Sequence, residues 1–150
     1  MKAIGDKYVV RGQIADGTDN TKRITLFDGR FDTAFRVTKL VIAGVRADDT
    51  SSDCVAVLMT EDTGRAADFW NWSDDREIGW ASTDHRTADG VLESFSLVDP
   101  DNLVVEDLFI TVNNRSSGNP QVNYYIEMQK YEIDEFTGAL SMVRNKAQAV

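Results

Sequence analysis

Phe69, Trp70, Trp72 and Trp80 lie close together in the sequence, interleaved with Asp68, Asp74, Asp75 and Arg76. Indole rings beside carboxylates can stack on sugar rings while the acids accept hydrogen bonds from hydroxyls. Trp70, Trp72, Trp80, Asp74 and Asp75 therefore form a candidate glycan platform. The competing and weightier reading is that these side chains close one end of the core or form a contact between subunits.

Other carboxylates could hold a hard cation such as calcium through oxygen ligands. Asp48 and Asp49 with Asp53, Asp74 with Asp75, and Asp99 with Asp101 and Asn102 are the groupings. None has the ligand spacing of an EF-hand loop, so solvated turn acids are expected. Asp99, Asp101 and Asn102 are the weak candidates for a metal, and no metal or other cofactor is otherwise called for.

Nucleophilic catalysis needs a base, and the single histidine, His85, falls in the polar stretch 83–90, where an exposed loop is expected. Ser82, Asp84 and His85 are sequence neighbours, whereas triads are assembled across a fold. Glycine-rich phosphate loops and the Cys and His spacings of zinc sites are missing. No catalytic residue is assigned, and the chain reads as a non-enzyme. Cys54, the only cysteine, sits in an apolar run and is expected to be a small buried side chain. Asn71 and Asn114 begin glycosylation triplets that read as chance without a secretion signal.

A chain of 150 residues with net charge −9 suits one soluble domain. Binding nucleic acid would require concentrated Lys and Arg, but Lys22 and Arg23 are the only adjacent basic pair, so no nucleic-acid contact through a basic arm is expected. No apolar run approaches the ~18 residues of a membrane span, and residues 1–7 lack the apolar stretch of a secretory signal. The expectation is a protein assembled inside the cell that makes it.

The elements positioning these residues read as strands almost throughout. Tyr8, Val10 and Ile14 alternate with Lys7, Val9, Arg11 and Gln13, Ile24 and Leu26 repeat the pattern, and Asp28 with Gly29 supplies a turn. Between 35 and 45 the phase slips, with Phe35 and Val37 on one face and Leu40 and Ile42 on the other, so a bulge is expected near Lys39. Residues 54–59 are apolar on both faces and predict a central strand. Residues 60–75 read as one helical turn or an ordered loop, followed by strands at 77–82 and around Phe95 and Leu97.

Two long strands are predicted over 102–113 and 121–133, the second with Val122, Tyr124, Ile126 and Met128 inward. About eight strands separated by turn signals describe an all-β, antiparallel sandwich of jelly-roll type. Crossover helices for a parallel sheet are missing. Leu140, Val143, Ala147 and Val150 lie on a predicted short C-terminal amphipathic helix, which needs a surface to dock on, in its own subunit or a neighbour. The predicted organisation is a sandwich over 1–134 and a helical tail over 135–150.

Four stretches carry a resemblance: residues 76–81 (REIGWA), 102–110, 122–133 (VNYYIEMQKYEI) and 138–148 (GALSMVRNKAQ). Over residues 76–148 the chain resembles small jelly-roll virion structural proteins of marine bacteriophages and environmental viruses. The resemblance implies a many-copy capsid shell or capsid-decoration subunit, assembled in the host cytoplasm. It carries over no functional residues. The expected partners are copies of the chain itself, as trimers or higher rings, and another virion protein, with no membrane. A carbohydrate-binding sandwich module is the alternative.

Overall fold

Period-two alternation drives the architecture, and it is cleanest in the strand Val122–Glu132, where Val122, Tyr124, Ile126 and Met128 are buried and their neighbours half-buried. The computed structural model describes residues 2–15, 19–30, 32–45, 53–86, 91–115, 121–134 and 140. Eight strands follow in chain order: β1 (Lys2–Ile14), β2 (Asn20–Thr25), β3 (Thr33–Gly44), β4 (Asp53–Met59), β5 (Glu77–Arg86), β6 (Val91–Val98), β7 (Asp107–Asn114) and β8 (Val122–Glu132). They form two antiparallel sheets, β1-β8-β3 and β2-β7-β4-β5-β6, in an all-β, sandwich-like arrangement. Of the predicted tail only Leu140, which is exposed, is described. Val143, Ala147 and Val150 lie outside the described residues.

The core fills the space between the sheets. Leu40 and Ile42 of β3 and Ile126 and Met128 of β8 meet Cys54, Ala56 and Leu58 of β4 and Leu108, Ile110 and Val112 of β7. Close-packed apolar side chains of this size each contribute about 1.5–3 kcal/mol through burial. Two glycines make room for that packing. A Cβ at Gly12 would fall 2.6 Å from the Tyr124 hydroxyl, and one at Gly79 would press on Leu58 and Leu40. β4 is the middle strand of its sheet and is covered on both faces, as its sequence predicts, and Cys54 is fully buried.

The phase slip in β3 is a register shift between Val37 and Lys39 opposite β8, which leaves Thr38 as the extra residue. A second irregularity in β1, between Ile4 and Tyr8, contains Gly5 at φ 68°.

Two expectations need correction. Residues 102–113 are not one strand. Val104 exchanges both backbone hydrogen bonds with Phe35 on the outer edge of β3, at 2.8 Å each, and β7 begins only at Asp107 in the other sheet. The polar loop expected from residue 83 is strand as far as Arg86, because β6 supplies a register partner for each position, including Leu92 for His85.

The same edge of β3 is closed by side chains as well. The Asn102 amide accepts from Val37 N at 2.8 Å and donates to Val37 O at 2.9 Å, occupying the place of a strand residue. Further along, Thr83 of β5 donates to the Ile42 carbonyl at 2.9 Å and Ser96 of β6 to the Leu40 carbonyl.

Candidate functional site

The loop 60–76, between β4 and β5, folds over the outer face of the five-stranded sheet. It is an ordered loop, with turns and no continuous helix. Trp70 packs on a small apolar cluster of Val57, Met59 and Trp80, and its ring stacks on Phe95 of β6 with centroids 5.9 Å apart. Trp72 leans on Trp80 at 5.6 Å. Trp70 Nε1 donates to the Ala67 carbonyl at 2.9 Å, so the ring is fixed by polar as well as apolar contact. Asp19, a non-glycine residue at φ 47°, anchors the far side of the loop by accepting from Ala67 N.

A buried ionic network holds the loop to β5. Glu77 is 2% exposed, and its carboxylate accepts from Trp80 Nε1 at 2.7 Å, from Asn71 N at 3.0 Å and from Arg65 Nη1. Arg65 also donates from Nη2 to Asp74 Oδ2 at 3.1 Å. Arg76 grips Asp74 through Nε at 2.9 Å and Nη2 at 2.8 Å. That bidentate contact with Arg76 holds the Asp74 carboxyl down at about 2, against the opposing effect of burial. Buried charges survive only when paired and hydrogen-bonded in this way.

Next to the network is a cavity of about 440 Å³. Trp70 and Phe95 form one wall, Val55 and Ser82 lie on the sheet floor, and Asp53, Asp68, Asp84 and Glu93 supply carboxylates around it. Its position follows from register: Asp53 of β4 is opposite Asp84 of β5, and Asp84 is opposite Glu93 of β6.

The five residues of the sequence-derived platform thus divide. Trp80 and Asp74 are buried, Trp70 is half-buried beside the cavity, and Trp72 and Asp75 are exposed. Asn102 is taken up by β3, and Asp99 accepts from Asp101 N at 3.0 Å in a local turn. Among the described residues no three His, Cys, Asp or Glu side chains are gathered to hold a metal ion.

Sequence reasoning did not assign Arg65, Glu77, Phe95 or Glu93 to this region. Glu77 carries a local signal, a carboxylate three residues before a tryptophan within a strand. The acidic row carries none, because it exists only once three strands are in register. No protein-family model, curated protein or solved structure matches the chain.

Proposed function

We propose that this chain is a non-enzymatic virion structural protein, a capsid shell or capsid-decoration subunit that self-associates into a symmetric assembly. The observation that carries this reading is the strand order. The pairings β1·β8, β8·β3, β2·β7, β7·β4 and β4·β5 support a jelly-roll reading, in which two Greek keys interleave across a sandwich. β6 departs from the pattern by pairing with β5, yet Ser96 bonds the edge of β3 that a closed jelly roll would give to β6. Together with the resemblance over residues 76–148, this order supports a many-copy subunit assembled in the host cytoplasm, trimeric or higher.

Light scattering behind a sizing column and negative-stain imaging test the reading. Large symmetric particles are expected, and truncation after Phe136 is expected to release monomers by removing Leu140, Val143, Ala147 and Val150. A protein that stays monomeric at every concentration, or turns over a small compound, would overturn it.

One observation favours a second reading as a carbohydrate-binding module: Trp72 is 62% exposed while its ring is braced by Trp80. A glycan array comparing wild type with Trp72→Ala separates the two, since a genuine sugar platform loses its signal in the variant.

A further inference from the structure

The two outer faces of the molecule are opposite in charge. On the three-stranded sheet, the outward positions over residues 9–13, 39–43 and 123–127 hold two exposed cations, Arg11 and Lys39, and one acid. That acid, Glu127, is opposite Lys39 in the register and accepts from the Tyr125 hydroxyl at 3.0 Å. On the other side, the loop 60–76 has five acids against Arg65 and Arg76. Asp74 engages both arginines, whereas Asp62, Asp68 and Asp75 stand exposed. Among these acids Phe69 is 63% exposed and Trp72 62%. Both rings are braced, Phe69 by the Arg65 guanidinium at 6.0 Å and Trp72 by Trp80. On the three-stranded sheet, Arg11, Val41, Ala43, Asn123 and Tyr125 line a groove of about 440 Å³.

These features complete one another on two copies of the chain. Tryptophan, tyrosine and arginine are the residues that most often anchor protein interfaces, and a braced ring loses little freedom on docking. Seated in the groove, Trp72 would meet Val41, Tyr125 and the Arg11 guanidinium, while Asp68 and Asp75 would come to Lys39. We propose that the molecule docks head to tail, with the 60–76 loop of one copy in the Arg11, Val41 and Tyr125 groove of the next. Pairing either face with its own kind is disfavoured, since it would set cation against cation or acid against acid. A head-to-tail contact is heterologous, so it closes into a ring or runs on as a filament. The proposal rests on the assembly reading and adds to it which two faces touch.

The test uses two variants of the full chain, each altered on one face: Trp72→Ala on the loop and Arg11→Glu in the groove. Each alone is expected to need about tenfold or more protein than wild type to assemble, as read by light scattering behind a sizing column. Mixed in equal amounts, they are expected to form a complex of two, because the intact loop of the Arg11→Glu chain still fits the intact groove of the Trp72→Ala chain. In the wild type, carbodiimide coupling is expected to join Lys39 of one copy to Asp68 or Asp75 of another, which decides the matter even if a variant fails to fold. Variants that melt and assemble like wild type, a mixture that forms no complex, or an assembled wild type without that cross-link would each overturn the proposal and leave the assembly reading standing. A wild type that is monomeric at every concentration would overturn both.

Discussion

The outer face of the five-stranded sheet is roofed by the 60–76 loop, whereas among the described residues no loop covers the outer face of the three-stranded sheet. On the roofed side, Val57 and Met59 are fully buried beneath Trp70 and Trp80. On the open side, Val9 and Val41 are 46% and 41% exposed, and Tyr125 sits opposite Val41 in the β3·β8 register. A long irregular loop leaves backbone groups without a ladder, and these need acceptors if they are buried. Glu77 and Asp74 supply them, and Arg65 and Arg76 make the two buried carboxylates tolerable. The open face has no loop to hold and carries no comparable buried network among the described residues.

The contrast can be broken most severely at Glu77. Glu77→Ala strands the Arg65 guanidinium and removes the acceptor for Trp80 Nε1 and Asn71 N, and is expected to cost about 3–5 kcal/mol in urea unfolding. A loss below about 1 kcal/mol would mean that the network contributes little to holding the loop.

Asp74 gives a smaller effect with a defined pH window. Its folded pKa of about 2 lies below the ordinary aspartate value of 3.8, so its contribution is fully present above that value and is lost as pH falls from about 4 toward 2. The magnitude is about 2 kcal/mol. Unfolding midpoints measured from pH 5 to pH 2 are expected to fall less steeply in Asp74→Asn than in wild type. Parallel slopes would remove Asp74 from the acid response.

Least perturbing to the fold is Val41→Lys on the open face. Subunit stability is expected to change by no more than about 0.5 kcal/mol, while the assembly seen by light scattering shrinks. An unchanged particle size would take the open face out of the subunit contacts.

Much of the fold was legible because a strand writes its two faces into alternate residues. β8, the doubly apolar β4 and the slip at Thr38 all follow from local pattern. The break at 105–106 was hidden because Asn102 imitates a backbone partner with its side chain, which no periodicity records. Residues 83–86 read as loop because their strand state depends on pairing with β4 and β6 and not on their own propensity. The tryptophan and aspartate platform was recognised as a group, but burial sorted it: Trp80 and Asp74 went to structure, and Trp70 joined acids from β4, β5 and β6. Neighbourhood between strands is a tertiary property, so that row of charge could not be read along the chain.

β6 is tied to β3 by the Ser96 hydroxyl, where two strands of one sheet would share a run of amide bonds. This makes a seam that can part locally at modest cost while both sheets stay intact. Breathing along that line would let the β6 edge lift away from β3 while β5 stays paired with β4. Amide protons of β6 would then exchange with solvent sooner than those of β4 and β7, and a particle built from such subunits would have a compliant joint in every copy.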